Sequence, residues 1–440
     1  MKIRPFRGYR YNPAKVPDFS RVVVPPYDQI DPDTREALHA LHAWSFVRVT
    51  LGRPEPGDAG DADRHRRARG CLDRWIAEQV LIRDAEPALY PCLTTYQAGG
   101  ETLRRTGVIA LGELSEYAEG VVLPHERTHA GPKVERLQHL EVTGADTGVI
   151  FMLASDPSGE LLQAAAPPPA PPVAAARDLK GELHQLWRIT DRAAIARVQA
   201  LMADRRLIIA DGHHRYETAL EYRRRHPGAD WKLMAIVPLE APGLTIFPTH
   251  RLIHGVRGFD VETFLTRAAR WFEIERGPAL GETAAEARAL VGALDARART
   301  GRLAVAVVAG AEAPGWLLTL RPEAFDAVPW PAGTSPAWRR LAVSVLHEGL
   351  LKPFLGVTEE ILREQTSVDY TADAVEAVTQ VRKGNYQAGF LIPPTTPAEL
   401  QAVVRAGELL PQKSTYFYPK VPSGLAIHSL EALSSLLKPS

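Results

Sequence analysis

The amino-acid sequence predicts a protein of mixed α/β class, with both α/β and α+β character and two or three domains. Predicted strands alternate with predicted helices between residues 200 and 410, and this alternation is typical of α/β and α+β bodies. The chain has 440 residues, and a length of about 150 residues per domain gives two or three domains. Hydrophobic residues make up 45% of the chain and charged residues 24%, which excludes a wholly disordered protein.

Charge and cysteine content narrow the class of protein further. The chain has 52 Lys and Arg against 52 Asp and Glu, which disfavours a surface devoted to nucleic acid, although a local basic groove remains compatible. Its two cysteines, Cys71 and Cys92, are too few for a disulfide framework or a Cys-rich zinc site. No apolar run approaches the roughly 18 residues of a membrane helix, and the first residues lack the apolar region of a signal peptide. We therefore expect a soluble, cytoplasmic protein with reduced thiols.

Short strands and helices are mixed in about the first 115 residues. Arg21–Val24 is predicted as a strand that ends at the two following prolines, because proline cannot donate to a sheet ladder. Residues 33–42 have a helical pattern, and residues 45–51 alternate like a half-buried strand. An amphipathic helix follows around residues 66–79.

A β-hairpin is predicted where residues 88–97 and 101–111 flank an Ala-Gly-Gly turn. Later in the chain, the run AAAPPPAPPVAAA at 164–176 predicts a polyproline-type insertion or connector. The remaining predicted elements are helix 191–204, strand 205–210, helix 214–226, strand 231–240, a helix and a strand over 259–275, paired strands 302–309 and 315–320, helix 371–384, strand 387–393 and helix 396–407. The last helix has Thr396 as its N-cap and Pro397 at its first position.

The first motif that could carry chemistry is LIIADGHHR, in which a strand ends and a helix begins. Gly212 permits a tight turn and close approach of a ligand, and the N–H groups of the helix start are available to an anion. His213, His214 and Arg215 add donors, which favours phosphate binding. Asp211 is the one acid here, and it could hold Mg²⁺ or help to move a proton. The alternative is a helix cap among ordinary surface histidines.

The second motif is LPHERTHAGPK, which contains the spacing HExxH of zinc proteases. That motif requires a continuous helix, in which both histidines share one face. A proline before His125 and Gly131-Pro132 after His129 oppose such a helix. We therefore interpret Glu126 as a candidate general base beside an anion site that includes Lys133 and Arg136, with an exposed charged loop as the alternative.

Two further segments are weaker candidates for substrate binding. Lys413, Ser414 and Thr415 offer a cation and two hydroxyls in a proline-flanked turn, a composition that also occurs in solvated turns. Thr249, His250 and Arg251 follow a predicted strand and could line an acceptor cleft, although a polar strand end without a ligand is an equal alternative.

Taken in order, the motifs PHE, DGHHR and KST resemble the free serine kinases of the ParB-like superfamily. The resemblance covers roughly residues 120–430, and it includes the segment KGNYQAGFLIPPTTPAELQAVVRAGELLPQKST near the end. The first 115 residues, with IRPFRGYRYN and VVVPPYDQI, instead resemble the N-terminal part of a bacterial family of domains of unknown function in that superfamily. That family's glutamate loop has no second histidine, which makes His129 incidental.

The resemblance implies a role for each matching residue. Glu126 corresponds to the glutamate that takes the proton from the serine hydroxyl, and Asp211 to an acid beside the metal. Residues 212–215 correspond to the site that binds the nucleotide phosphates. Residues 413–415 fall on the family's Lys-Thr-Thr run, with Ser414 in place of a threonine. The 85-residue spacing between Glu126 and Asp211 (211 − 126) is much wider than in the compact kinases.

The resulting hypothesis is a ParB-like, free-serine-kinase-like body with an extra domain. The predicted boundaries are an N-terminal α/β domain at 1–115, a nucleotide- and phosphate-binding core at 116–255 and a C-terminal α/β domain at 256–440. The predicted reaction transfers phosphate from ATP, ADP or pyrophosphate, with Mg²⁺, to L-serine or a similar acceptor, or runs in reverse on phosphoserine. The alternatives are a nucleotide-binding switch of the DNA-partition type, for which no helix-turn-helix is evident, and a zinc hydrolase. The sequence is silent on oligomeric state, on the donor and on the role of residues 1–115.

Overall fold

The computed structural model describes residues 1–127, 131–277, 283–311 and 313–430, and the strands within these ranges form two large sheets and three small ribbons. The strands are β1 (Ile3–Arg4), β2 (Tyr9–Tyr11), β3 (Leu81–Arg83), β4 (Tyr90–Ala98), β5 (Glu101–Glu113), β6 (Val122–Leu123), β7 (Ala145–Asp146), β8 (Ile150–Ala154), β9 (Ala174–Arg177), β10 (Leu183–Leu186), β11 (Leu207–Asp211), β12 (Trp231–Pro238), β13 (Thr245–Phe247), β14 (His250–Ile253), β15 (Phe272–Arg276), β16 (Ala304–Ala309), β17 (Trp316–Leu320), β18 (Val368–Thr371), β19 (Ala388–Leu391), β20 (Tyr416–Tyr418) and β21 (His428–Ser429).

Helices are interspersed along the whole chain, which confirms the predicted mixed α/β class. They are α1 (Pro32–Leu41), α2 (Val47–Thr50), α3 (Asp61–Ala77), α4 (Gly131–Thr143), α5 (Glu160–Ala164), α6 (Arg192–Met202), α7 (His213–Arg225), α8 (Val261–Ala268), α9 (Thr283–Arg299), α10 (Pro336–Arg339), α11 (Ala342–Leu346), α12 (Lys352–Leu355), α13 (Glu359–Glu364), α14 (Ala374–Arg382) and α15 (Pro397–Arg405). Among the described residues, no helix combines the length and the apolar composition needed to cross a bilayer.

The described residues group into two compact units. The first unit consists of residues 1–124, 131–245 and 419–430, and the second consists of residues 125–127 together with the described residues between 246 and 418. Strands from the first 115 residues share a sheet with strands of the segment that follows them. The three-domain division at residues 115 and 255 stays a prediction.

The first unit is built on a nine-stranded mixed sheet. Eight strands follow the order β6-β11-β8-β12-β5-β4-β10-β9, and β1 pairs with β5. The predicted hairpin is present as β4 and β5, and Gly99 and Gly100 at its tip have φ of 59° and 83°, which non-glycine residues rarely adopt. Aliphatic side chains of neighbouring strands, such as Ile150, Ile209 and Ile236, belong to one buried core cluster.

The second unit is built on a six-stranded sheet with the order β15-β17-β16-β19-β14-β18, in which neighbouring strands are antiparallel. The predicted pairing of β16 with β17 is confirmed. The cap of α15 is also confirmed: Thr396 accepts a hydrogen bond from the backbone of Glu399, whose side chain accepts one from Thr396 in return. This reciprocal arrangement satisfies two donors at the helix start.

Two predicted strands are wrong. In place of the strand Arg21–Val24, Arg21 ends the 3₁₀ turn Phe19–Arg21, and Val24 forms a single bridge with Ser423. Residues 45–51, predicted as a strand, contain the short helix α2. Most side chains of both segments are buried, whether apolar or polar. The alternation of apolar and polar residues therefore did not indicate a strand with one exposed face.

Candidate functional site

The DGHHR motif lies where β11 ends and α7 begins, as the sequence predicts. Asp211 is the last residue of β11, Gly212 has φ of 94°, and α7 starts at His213. A Cβ on Gly212 would lie 3.0 Å from Nε and Cζ of Arg215. Glycine therefore permits both the left-handed turn and the return of the Arg215 side chain over it. His213 is buried, and His214 is half-buried.

Asp211 is held between two cations. Its Oδ2 accepts a hydrogen bond from Nη2 of Arg215 at 2.5 Å, and its Oδ1 accepts one from Nζ of Lys420 at 2.5 Å. Burial alone would raise the pKa of Asp211, but Lys420 and Arg215 lower it to about 2. Asp211 is therefore a carboxylate at neutral pH, and Arg215, which also donates to the carbonyl of Val149, is fixed in place.

A second acid, Asp28, belongs to the same electrostatic cluster. Burial and the nearby charge of Asp211 raise the pKa of Asp28, against the opposing effect of Arg215 and Lys420. The neighbouring Tyr27 is also affected, since burial and Asp28 raise the pKa of its hydroxyl. Two acids and two cations thus share one partly buried region of the first unit.

A cavity next to this cluster is lined by cations and hydroxyls. It encloses about 480 Å³ of space between atoms, including its solvent-filled mouth. The polar side chains that line it are those of Tyr27, Thr50, Arg136, His139, Thr147, Arg215, Thr218, Lys232 and Ser423. Within the described part of the chain, Oγ1 of Thr218 and Nε of Arg215 are buried without a hydrogen-bond partner. Buried donors of this kind suit a ligand with several acceptor oxygens.

Helix α4 contributes one predicted residue to the cavity. Arg136 donates to the carbonyl of Thr50 at 3.0 Å, pairs with Glu135 and lies 4.2 Å from the ring centre of Tyr27. Lys133, by contrast, forms an ion pair with Glu217. The structure therefore brings Arg136 to the cavity that Arg215 also lines, and Lys133 is not among its lining residues.

The second unit brings together the PHE and KST motifs. Nε2 of His125 lies 3.0 Å from Oγ1 of Thr415, and its ring packs edge-on against Phe417 at 5.4 Å. The backbone N–H of Leu410 donates to the carbonyl of His125 at 2.8 Å. His125 thus anchors the tripeptide that contains Glu126, which is half-buried. Thr415 is therefore a contact of this loop.

The other predicted residues of the second unit are largely occupied within that unit. Ser414 is buried and donates to the carbonyl of Pro411, whereas Lys413 is exposed. His250 and Arg251 are buried on β14, where burial, with a contribution from Arg251, lowers the pKa of His250 to about 4. Thr249 is buried beside them, and its carbonyl accepts a hydrogen bond from Arg251.

The zinc-protease spacing does not form the helix that such a site requires. His125 and Glu126 lie in a bend, and Arg127 belongs to no helix or strand. His129 lies outside the described residues. With the first histidine and the glutamate off any helix, the i and i+4 geometry of a zinc protease is not formed.

Two members of the Asp211 cluster, Lys420 and Asp28, could not be predicted from the sequence. Lys420 lies far along the chain from Asp211, and Asp28 lies in a proline-flanked segment near the beginning. Their approach to Asp211 depends on the sheet and on the return of the C-terminal segment to the first unit. Only an observation of spatial proximity could have found them.

Comparisons with known proteins give one clear result. The model of a family described as "Protein of unknown function (DUF1015)" matches residues 3–344. A search of curated proteins found no match. This outcome confirms the expected membership of a family of unknown function, whereas membership of the ParB-like superfamily stays a prediction.

Solved structures resemble the chain only distantly. A conserved hypothetical protein from Pyrococcus furiosus has a TM-score of 0.36 at 14% identity and covers 75% of this chain and 97% of its own. A free serine kinase variant in complex with ADP has a TM-score of 0.38 at 14% identity, covering 75% and 94%. A C-terminally truncated SbnI from Staphylococcus aureus has a TM-score of 0.35 at 13% identity, covering 76% and 90%. Similarity at this level carries no argument about activity. The family model, which matches well over half of the chain, shows that this protein belongs to the DUF1015 family.

Proposed function

We propose that this chain is a small-molecule kinase, which transfers a phosphoryl group from ATP, ADP or pyrophosphate to the hydroxyl of L-serine or a similar acceptor. The observation that carries the proposal is the Asp211 cluster, with its two cations, beside a cavity lined by cations and hydroxyls. The order of the PHE, DGHHR and KST motifs in the sequence supports the same reaction class.

The cavity has the chemistry that phosphoryl transfer needs. A transferring phosphoryl group spreads negative charge over several oxygens, and catalysis depends mainly on positioned donors and charge neutralisation. Arg136, Arg215 and Lys232 are the cations that line it, and Thr218 supplies a buried hydroxyl. Each of these cations also pairs with one carboxylate, which holds its donors in place: Glu135, Asp211 and Asp146 respectively. The start of α7 adds backbone N–H groups near Gly212. These groups would bind the phosphates of the donor.

The residues present fit a Mg²⁺ ion. A carboxylate has about four lone-pair sites, and Arg215 and Lys420 use two of those on Asp211. Asp28 lies near Asp211, because the charge of Asp211 contributes to the raised pKa of Asp28. Asp28 would supply a second hard oxygen ligand of the kind that Mg²⁺ prefers. When bound, Mg²⁺ would neutralise charge on the phosphate oxygens.

Glu126 is the proposed general base. Its role, which the resemblance of the PHE motif implies, is to accept the proton of the acceptor hydroxyl as that oxygen bonds to the transferred phosphorus. The bond from this phosphorus to the bridging oxygen of the donor breaks at the same time, so the donor leaves as the nucleotide shortened by one phosphate or, from pyrophosphate, as phosphate. The anchoring of His125 by Thr415 and Phe417 would hold the loop in one conformation. Lys133, Thr249, His250, Arg251, Lys413 and Ser414 stay proposed contacts to the acceptor or its surroundings.

The experiment is a transfer assay on matched glutamine variants. Purified protein with Mg²⁺ is given each of ATP, ADP and pyrophosphate with L-serine, and phosphoserine is quantified by mass spectrometry; the reverse reaction starts from phosphoserine. Glu126→Gln keeps the shape but removes the base, so turnover should fall by about 10²–10⁴-fold with donor affinity nearly unchanged. Glu323→Gln, at an exposed glutamate of the same unit, should leave turnover unchanged.

Two results would contradict the proposal. One is the absence of phosphoryl transfer in either direction with all three donors. The other is a Glu126→Gln variant that is as active as Glu323→Gln, which would remove Glu126 from the chemistry.

A further inference from the structure

A second group of potential ligand side chains lies in the β9–β10 hairpin of the first unit. Asp178 begins the turn, Glu182 precedes β10, and His184 lies on β10. Each residue offers one ligand atom, and these atoms all lie within 4.8 Å of one another. None of the three residues belongs to the Asp211 cluster or lines its cavity.

The turn itself fixes the first ligand. Oδ1 of Asp178 accepts hydrogen bonds from the backbone N–H groups of Lys180 at 2.9 Å and of Glu182 at 3.0 Å. Its other oxygen, Oδ2, lies 3.1 Å from Nε2 of His184. Oε2 of Glu182 lies 3.9 Å from the same nitrogen. Two carboxylates and one imidazole nitrogen therefore converge on one point.

The orientation of His184 suits a ligand at Nε2. Its Nδ1 lies 3.1 Å from Oγ1 of Thr94, the residue directly opposite on β4. If Nδ1 carries the proton and donates to Thr94, the lone pair of Nε2 faces the two carboxylates. Metal-bound histidines are oriented in this way by a hydrogen bond at the other ring nitrogen.

Glu182 supplies an independent indication of a missing positive partner. Its side chain is 95% buried (relative exposure 5%), and Oε1 has no hydrogen-bond partner within the described residues. The neighbouring Asp178 is a second carboxylate at the same imidazole, and the guanidinium of Arg105 has other partners. Arg105 donates to the carbonyl of Pro419 and lies over the Phe151 ring. A buried carboxylate beside another acid is costly without a cation.

We propose that Asp178, Glu182 and His184 bind one divalent transition-metal ion, of the class that includes Mn²⁺, Fe²⁺, Co²⁺ and Zn²⁺. Two carboxylates with one imidazole suit these ions, whereas Ca²⁺ and Mg²⁺ prefer sites made of oxygen alone. The metal would replace the close contact between Nε2 of His184 and Asp178 and would give Oε1 or Oε2 of Glu182 a cationic partner. Three protein ligands leave further coordination positions for water or a small ligand.

The test uses Co²⁺, whose visible absorption reports its ligands. Chelator-stripped full-length protein is titrated with Co²⁺ while absorbance and thermal melting temperature are followed. The wild type should bind one Co²⁺ per chain at this site and melt at a higher temperature. Glu182→Gln should no longer bind this Co²⁺ ion. Glu101→Gln, at an exposed carboxylate of the same sheet, should still bind it. Mg²⁺ at the same concentration should not reproduce the rise in melting temperature that Co²⁺ causes in the wild type and that Glu182→Gln lacks.

A second pair of variants separates metal binding from a structural role of the hairpin. Thr94→Val keeps all three ligands but removes the partner of Nδ1, so Co²⁺ affinity should fall about 10- to 100-fold. Thr94→Ser should restore it. The proposal is overturned if the wild type binds no Co²⁺, if Glu182→Gln binds it as tightly as the wild type, or if Thr94→Val leaves the affinity unchanged. Because Asp211 is intact in every variant, these outcomes are independent of the proposed kinase activity.

Discussion

Asp211 and Glu182 are two acids in shielded positions of the same unit, yet their surroundings drive their pKa values in opposite directions. Burial disfavours the charged form of both. Lys420 and Arg215 nevertheless lower the pKa of Asp211 to about 2, whereas Asp178 adds to burial and raises that of Glu182 to about 7. The charge of the neighbours, rather than burial, separates the two groups. The cationic surroundings suit a phosphate ligand, and the acidic ones suit a metal ion.

The largest change in the free energy of unfolding should come from removing one of the two cations beside Asp211. Arg215→Met leaves a partly buried carboxylate with Lys420 as its remaining close cation. Breaking a buried ion pair in this way typically costs about 3–5 kcal/mol, and we expect a loss near the lower end because Lys420 remains. The free energy of unfolding, measured by urea denaturation at pH 7, should show it.

The matched control is Arg224→Met, on the same helix. The Arg224 side chain is 56% exposed in its ion pairs with Glu116 and Glu221, so its loss should cost less than about 1 kcal/mol. Equal losses in the two variants would show that Asp211 does not depend on Arg215.

The pH dependence of stability should have opposite signs at the two acids. Asp211 has a folded pKa below its ordinary value of 3.8, so its contribution of about 2 kcal/mol is present above that value and is lost as the pH falls through about 2. Glu182 has a folded pKa above its ordinary value of 4.5, so its contribution is complete below that value and is lost as the pH rises through about 7.

Two variants measure these contributions with chelator present. Between about pH 4 and pH 2, the free energy of unfolding of Asp211→Asn should fall less steeply than that of the wild type, because the variant lacks the carboxylate that becomes protonated. Between about pH 5 and pH 8, that of Glu182→Gln should fall less steeply as the pH rises, because the variant lacks the carboxyl group that becomes ionised. A Glu182→Gln variant whose urea midpoints follow the wild type across the second range would show that Glu182 titrates normally.

The smallest expected effect concerns the turn that returns Arg215 to Asp211. Gly212→Ala places a Cβ at φ of 94° and 3.0 Å from the guanidinium, which should cost about 1–2 kcal/mol. Gly70→Ala, in the middle of α3 with open space around it, should instead stabilise by about 0.5–1 kcal/mol. Urea denaturation of both variants gives the comparison, and a stabilising Gly212→Ala would contradict the role of the turn.

The features that the sequence predicted correctly depend on neighbouring residues. Thr396, Pro397 and Glu399 specify the start of α15 through contacts three residues apart. The turn at Gly99 and Gly100 specifies the β4–β5 hairpin in the same way. The strand, turn and helix of the DGHHR motif are also local, so their order could be predicted.

The features that the sequence could not predict depend on distant partners. Val24 meets Ser423 in an isolated bridge, so the run of valines that precedes it formed no ladder. Val47 and Val49 have a high strand propensity, but tertiary burial placed them in a helical turn. Lys420 reaches Asp211 from near the other end of the chain. No local pattern encodes such a contact.

The most direct test of the phosphate site is the dissociation constant of pyrophosphate, measured by calorimetric titration with Mg²⁺. Lys420→Met removes one cation from Asp211, and Lys180→Met removes an exposed lysine of the same unit as a control. The loss of this cation leaves the Asp211 carboxylate less neutralised beside the proposed phosphate site, so Lys420→Met should weaken pyrophosphate binding by roughly 10- to 100-fold while Lys180→Met leaves it unchanged. Equal dissociation constants for the wild type and a folded Lys420→Met would contradict the assignment of the Asp211 cluster as a phosphate site.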